Sequence, residues 1–158
     1  MSATATIDGV AAPQAAGQES LVDELRRDPG YQAFWLMRIT FTIAPILFGA
    51  DKFANVLVDW EKYLAPWIRD ASPLSATGTM HVVGAIEIVA GIAVALKPRY
   101  AAYIVAAWLA GIVINLLSYS GFYDVALRDF GLMMGALTLA RLASKYDSRG
   151  LKPTLRRR

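Results

Sequence analysis

The chain has 158 residues, of which 56% are hydrophobic and 18% are charged. A soluble domain is usually about 45–50% apolar and about 25% charged, so this composition favours a protein whose solvent is lipid. The absence of cysteine excludes disulfides, thiolate zinc sites and iron–sulfur clusters. The single histidine, His81, excludes sites that need two imidazoles, and no nucleophile motif accompanies it. We therefore expect no enzyme activity from this chain on its own.

The two ends of the chain differ in composition from its middle. Residues 1–19 are mostly small or polar and lack apolar periodicity, which predicts a disordered arm. Residues 20–30 are predicted to form a short cytoplasmic amphipathic helix, which Ser20 caps and Pro29 and Gly30 end. Residues 144–158 form a basic cytoplasmic tail.

Four apolar segments occupy the middle of the chain, at about 33–50, 78–96, 100–119 and 122–142. Each is close to the roughly 20 residues that a helix needs to cross the hydrocarbon core. Helices and closed barrels alone satisfy their backbone in lipid, and segments of this length favour helices. The sequence therefore predicts an all-α fold, a transmembrane four-helix bundle over residues 33–143.

An aromatic segment lies between the first two spans. Its apolar residues recur at the spacing of one helical face, and they are Trp60, Tyr63, Leu64, Trp67 and Ile68. This pattern predicts a periplasmic interfacial helix with its rings at headgroup level. The aromatic side chains either form an interfacial belt or cover an outward-facing pocket as a lid.

The basic residues predict the topology. Eleven of the 16 flank the N-terminal end, the link between the second and third spans, or the C-terminal tail: Arg26, Arg27, Lys97, Arg99, Arg141, Lys145, Arg149, Lys152, Arg156, Arg157 and Arg158. Three lie between the first two spans. The positive-inside rule then places both termini in the cytoplasm. No nucleic-acid-binding module accompanies these charges, so we expect no nucleic acid partner.

Ionisable side chains are costly inside a membrane and usually face the bundle interior. Glu87 falls near the middle of the second span, and at the helical rise Arg128 lies roughly 9 Å into the fourth. We expect these two to pair at the centre of an intramembrane polar cluster, which also contains Asp129, His81, Asn115 and Asp51. Gly84 and Gly91 share the helical face of Glu87 and leave space for a neighbouring helix or a small ligand.

The polar cluster has two interpretations. It is either an ion pair that fixes the bundle, or a site for a proton, an anion or a quinone headgroup. Arg38 lies one turn from the cytoplasmic end of the first span, where its side chain can reach the headgroups. The pattern predicts no metal site and no intrinsic cofactor.

Several short motifs resemble the DoxX-like family of small four-helix bacterial membrane proteins. They are Arg38, the run Phe48–Phe53 that contains Lys52, the run Gly84–Glu87 with Gly91, and Arg128-Asp129 followed by Gly135–Leu137. The resemblance covers about residues 33–143. It implies a bacterial plasma-membrane protein associated with redox or oxidative-stress proteins, and it makes Arg38, Lys52, Glu87 and Arg128 the family-like polar positions.

Three functions follow from these observations. The first is a membrane subunit or anchor of a redox or stress-related assembly that contacts quinone and takes its redox centre from a partner protein. The second is a small proton-coupled or anion transporter that uses Glu87 and Arg128 and forms its pathway as a homo-oligomer. The third is a purely structural membrane scaffold.

Overall fold

The computed structural model of the protein describes residues 27–147, and every regular element within this range is helical. Helix α1 spans Pro29–Ala54, a 3₁₀ turn follows at Trp60–Tyr63, and a short helix α2 spans Pro66–Ala71. The helices α3, α4 and α5 span Ala76–Leu96, Pro98–Leu117 and Tyr123–Tyr146. The all-α prediction is thereby confirmed.

The predicted ends of the chain fall largely beyond this range. The arm at 1–19, most of the short helix predicted over 20–30, and residues 148–158 of the basic tail lie outside the described residues. The tail predicted to start at 144 is helical in its first part, because α5 continues to Tyr146.

Helix α1 begins at Pro29, earlier than the predicted start at position 33. The side chain of Asp28 caps it and accepts hydrogen bonds from the backbone N–H groups of Gly30 at 2.9 Å and Tyr31 at 3.3 Å. Pro29 occupies the first turn of the helix. Proline is tolerated there because the first N–H groups of a helix have no acceptor within the helix, so the N–H that proline lacks is not needed. Pro29 and Gly30 therefore begin a long helix here, and the short helix predicted to end at them lies almost entirely outside the described residues.

The long helices pack in pairs, α1 against α3 and α4 against α5, and contacts of α1 with α5 and of α3 with α4 join the pairs. Helices α1 and α3 approach closely at their glycines. A Cβ added to Gly84 would lie 2.6 Å from the carbonyl oxygen of Gly49, and one added to Gly91 would lie 2.6 Å from that of Thr42. The space beside Gly84 and Gly91, which we expected to hold either a neighbouring helix or a small ligand, is therefore filled by helix α1.

The aromatic core lies where α1 begins and α5 ends, which we call the Tyr31 end. Tyr31, Phe34 and Tyr146 pack their rings together there and are almost fully buried. The Tyr146 hydroxyl also lies 3.1 and 3.2 Å from the two carboxylate oxygens of Asp28, to which it donates. Desolvation raises the pKa of Asp28. The hydrogen bonds that its carboxylate accepts from Tyr31, Tyr146 and Gly30, together with the charge of Lys145, lower the pKa by more, so that it lies below its usual value.

Among residues 27–147, three helices are long and apolar enough to cross a membrane, namely α1, α3 and α4. Large apolar side chains are exposed along all three, including Leu36, Val89 and Ile104. Contiguous exposed apolar surface of this kind is typical of contact with lipid. Helix α5 has 24 residues and is as long as a span requires, but its charged residues make it less apolar than the others.

The aromatic segment between α1 and α3 is not the single helix that the sequence predicted. It is broken at Leu64 and Ala65, between the 3₁₀ turn and α2. Proline disfavours helical backbone at the residue before it, and Ala65, which precedes Pro66, has a ψ of 142°. The predicted apolar face is divided accordingly, since Leu64 is buried while Trp67 is 56% exposed.

Candidate functional site

A buried ion pair joins α1 to α3 at the end of the molecule opposite the aromatic core, which we call the Lys52 end. Lys52 Nζ lies 2.6 Å from Glu87 Oε2, and the two side chains are only 5% and 13% exposed. The predicted pairing of Glu87 with Arg128 is therefore wrong. Arg128 contacts the adjacent Asp129 instead, at 3.5 Å, and its side chain is 67% exposed.

The glycine contact between α1 and α3 explains why Lys52 reaches Glu87. A Cβ on Gly84 would lie 3.0 Å from the Cβ of Lys52, so the lysine stem runs directly over the glycine. Glu87 follows Gly84 by three residues and therefore lies on the same helical face. Helix α1 also extends to Ala54, beyond the predicted end at 50, so that Lys52 belongs to its last turn.

Helix geometry explains why Arg128 faces outwards. Successive residues on a helix point about 100° apart, and with Asp129 on the buried face of α5 the Arg128 side chain lies towards the outer side, where it is 67% exposed. Asp129 shares the buried face of α5 with Ala126 and Ala136 and is itself 9% exposed. Its carboxylate lies within electrostatic range of both Lys52 and Glu87.

Asp51 and Trp60 cover the ion pair. The indole Nε1 of Trp60 donates to Asp51 Oδ2 at 2.7 Å, and the Trp60 ring lies 3.7 Å from Lys52 Nζ in a cation–π contact. Asp51 also accepts hydrogen bonds from the backbone N–H groups of Val56 and Leu57, which fixes the turn after α1. From here on, the name polar cluster refers to the set that the structure brings together, which is Asp51, Lys52, Trp60, Glu87 and Asp129. In this set three carboxylates lie within electrostatic range of one buried amine.

His81 and Asn115, predicted as members of the cluster, have other contacts. The His81 ring stacks on the ring of Phe53, with centroids 4.8 Å apart. The Asn115 side chain accepts from the backbone N–H of Ala65 at 3.0 Å and donates to the carbonyl of Tyr63 at 2.8 Å. Asn115 therefore binds the two backbone groups that the break before Pro66 leaves without helical partners.

Two more contacts fix the aromatic segment to the end of α4. Trp67 Nε1 donates to Ser118 Oγ at 2.8 Å, and the Tyr119 hydroxyl donates to the carbonyl of Lys62 at 3.1 Å. Burial, followed by the nearby Tyr63, raises the pKa of Tyr119. Trp60 brings the aromatic segment into contact with the ion pair. The hydrogen bonds of Trp67 and Tyr119 hold the segment in this position.

Arg38 lies near the Tyr31 end, far from the polar cluster. Its guanidinium donates to the carbonyl of Ala95 at 2.6 Å and lies 3.7 Å from the carboxylate of Asp147. It also lies 5.0 Å from the ring of Trp35. Arg38 therefore links α1 to the last turn of α3.

A half-open cavity of about 90 Å³ lies among the four long helices beside Glu87. Apolar side chains form most of its wall, including Pro45 and Phe48 of α1 and Leu132 of α5. Glu87 is the ionisable residue in the wall, and Trp108 of α4 lies in it as well. Sequence reasoning missed Trp108, although a tryptophan in the middle of a span, away from the interfacial belts, is a recognisable signal.

Comparisons with family models, curated proteins and solved structures found no match to this chain. Within residues 27–147, no group of three or more His, Cys, Asp or Glu side chains is arranged to hold a metal ion. The class that the fold defines is a helical membrane protein, with three helices able to cross the bilayer and a buried polar cluster at one end.

Proposed function

We propose that the protein is a four-span integral protein of a bacterial plasma membrane, with α5 as the fourth span. The length of α5 and its packing against α4 and α1 support this assignment. The distribution of basic residues supports cytoplasmic termini, and the 3₁₀ turn and α2 then lie at the periplasmic surface. The exposed side chains of Val56, Leu57 and Trp67 in this region suit an interfacial location.

In this membrane the protein acts as a non-catalytic subunit or anchor of a redox or oxidative-stress assembly and contacts quinone, as its resemblance to DoxX-like proteins implies. The observation that carries this proposal is the cavity beside Glu87. All four long helices contribute residues to its wall, and this wall is mostly apolar. Glu87 forms its polar end, which suits the headgroup of a quinone. Electron transfer would use the redox centre of a partner protein.

The proposal is tested by purifying the tagged protein in mild detergent from its native membranes. Co-purifying proteins are identified by mass spectrometry, and quinone is extracted and quantified relative to protein. A stoichiometric oxidoreductase together with bound quinone is the expected result. A homo-oligomer that carries neither would contradict the proposal.

A second function, proton-coupled transport, is favoured by the composition of the polar cluster. Three carboxylates surround one buried amine, so the cluster suits a proton or a cation better than an anion. The pathway would use Glu87 and Lys52, because Arg128 is exposed and does not reach Glu87.

Proteoliposomes test this alternative through proton flux. Glu87→Gln should abolish flux if the carboxylate carries the proton, while Arg128→Gln is the matched control because its side chain lies outside the cluster. Flux that survives Glu87→Gln would remove the proposed role of this residue in transport.

A further inference from the structure

A second open space, which we call the Arg38 groove, lies on the outer side of α1 near the Tyr31 end. It has a volume of about 290 Å³ and is open to the surroundings of the protein. Five residues of α1 and one residue of α3 form its wall, namely Trp35, Arg38, Ile39, Thr42, Ile43 and Ala95. The spacing of the five α1 residues is that of one helical face, so the groove runs along the helix.

The Arg38 guanidinium is held in the groove wall and still has most of its hydrogen-bonding capacity. Its Nη2 donates to the carbonyl of Ala95 at 2.6 Å, and this is its one hydrogen bond within residues 27–147. The carboxylate of Asp147 lies 3.7 Å from Nη1, which is ion-pair range but too far for a hydrogen bond. A guanidinium has several further N–H groups, and the Arg38 side chain is 21% exposed. A ligand in the groove can therefore reach it.

The surroundings of the groove favour an anion. Side chains on a helix point towards its N-terminus, so the Arg38 guanidinium is directed to the Tyr31 end, where headgroups lie. Asp28 and Asp147 are the acidic residues at this end within the described part of the chain, and six basic residues accompany them. The basic residues are Arg27, Arg38, Lys97, Arg99, Arg141 and Lys145.

The order of the wall residues along α1 matches the order of groups in a phospholipid. A phospholipid presents its phosphate at the surface, its ester carbonyls a little deeper, and then its acyl chains. Thr42 lies one turn further in than Arg38, roughly 6 Å at the helical rise, and its hydroxyl has no hydrogen bond among residues 27–147. Ile39 and Ile43 are 52% and 51% exposed and supply an apolar surface along the groove.

We propose that the Arg38 groove binds one anionic phospholipid. The guanidinium of Arg38 donates charge-assisted hydrogen bonds to the phosphate, the Thr42 hydroxyl donates to an ester carbonyl, and one acyl chain lies along Ile39 and Ile43. The excess of basic residues at this end favours a headgroup without a compensating cation.

The size of the groove suits part of a lipid. Its volume is about twice the roughly 150 Å³ of a protein cavity that binds benzene. It can therefore hold the ester region and the first part of one acyl chain, while the rest of the lipid remains in the bilayer. The inference rests on the proposed function only for the orientation that places the Tyr31 end in the cytoplasmic leaflet, and it involves neither the cavity beside Glu87 nor a redox partner.

Two lipids with the same acyl chains test the proposal, because phosphatidylglycerol has a net negative charge and phosphatidylcholine has none. Trp35 lies in the groove wall, so its indole N–H signal in ¹⁵N-labelled protein reports binding there. The chain has four tryptophans, and Trp35→Phe serves only to assign this signal. In an uncharged detergent, phosphatidylglycerol should shift the signal saturably. Its affinity, expressed as a mole fraction in the micelle, should be at least about 5-fold higher than that of phosphatidylcholine. Equal affinities, or no saturable shift, would overturn the proposal.

Charge variants separate a ligand-binding role of Arg38 from a structural one. Arg38→Gln should weaken the binding of phosphatidylglycerol by about 5-fold, as expected for one basic residue at a membrane surface. Arg128→Gln is the matched control, since this arginine is exposed in the second turn of α5, and it should leave the affinity unchanged. Asp147→Asn should strengthen binding, because it removes a carboxylate that competes with the phosphate for the guanidinium.

The Asp147 variant decides the outcome even where Arg38→Gln does not fold. If the Arg38–Asp147 pair served only the structure, Asp147→Asn would weaken the binding of phosphatidylglycerol, and this result would overturn the proposal. Glycerol 3-phosphate distinguishes a lipid from a free phosphate ester, because it carries the charge without acyl chains. It should not shift the Trp35 signal, and a saturable shift would overturn the assignment to a lipid.

The redox proposal and the lipid proposal fail separately. Selectivity for phosphatidylglycerol in a protein that purifies without an oxidoreductase or quinone would overturn the redox role and retain the lipid site. A stable oxidoreductase complex of a protein without this selectivity would do the reverse.

Discussion

Removing both partners of the buried ion pair should harm the protein less than removing either one. Lys52→Met leaves Glu87 without its cation, and Glu87→Leu removes the carboxylate that lies within hydrogen-bond distance of the Lys52 amine. In the double variant, neither charge remains. The three variants together form a double-mutant cycle that measures the coupling between the two side chains.

The expected magnitudes follow from the burial of the pair. The side chains are 5% and 13% exposed, so either single substitution should cost about 3–5 kcal/mol of unfolding free energy. The Trp60 ring over Lys52 cannot compensate, because a cation–π contact contributes about 0.5–2 kcal/mol. The double variant should cost less than either single variant, because neither partner of the pair is left buried without the other, and its remaining cost comes from Asp51 and Asp129, which lose the nearby amine.

The assay is unfolding from mild detergent by added dodecyl sulfate, followed by circular dichroism. Arg128→Met is the control, and because its side chain is 67% exposed it should cost no more than about 1 kcal/mol. A double variant that loses the sum of the two single effects would refute the assignment of Lys52 as the partner of Glu87. Single variants as mild as the control would refute the burial argument.

Three further predictions test the surroundings of the site. Gly84→Leu should cost about 1–3 kcal/mol in the same assay, because its Cβ would lie 2.6 Å from the facing carbonyl of α1, whereas Gly131→Ala, with open space around its Cβ, should not destabilise. Asn115→Leu should make the aromatic segment more sensitive to limited proteolysis, since two backbone groups lose their partners; an unchanged cleavage rate would contradict this role. The lowered pKa of Asp28 means that its stabilising contacts are present at neutral pH and are lost as the pH falls through the folded-state pKa, and Tyr146→Phe should raise that pKa in a carboxyl NMR titration.

Depth along the helices could be predicted from the sequence, whereas the direction of each side chain could not. Glu87 lies near the middle of α3 and Arg128 in the second turn of α5, as counting residues from the predicted segment ends suggested. Only the packing of α5 decides that Asp129 faces inwards and Arg128 outwards. The spacing of Ala126, Asp129 and Ala136 along α5 is the signal that could have identified the buried face.

Local backbone chemistry accounts for the other differences. The end of α1 was predicted too early, at 50, because the charged Asp51 and Lys52 interrupt the apolar run, although both are buried inside the helix. The aromatic periodicity from Trp60 to Ile68 predicted one helix, but the residue before Pro66 cannot easily be helical. The bonds from Asn115 to the resulting break join positions 50 residues apart, which no local pattern reveals.

The two ends of the molecule bear differently on stability and function. At the Tyr31 end, rings and small side chains such as Phe34, Leu139 and Ala140 are fully buried. Towards the Lys52 end, α1 and α3 enclose the Lys52–Glu87 ion pair, and beside Glu87 all four long helices line a small cavity. A purely structural protein could replace the ion pair with apolar residues at little or no cost in stability. The proposed ligand or proton would use the charges and the cavity beside Glu87, whereas the scaffold hypothesis gives them no role beyond the fold.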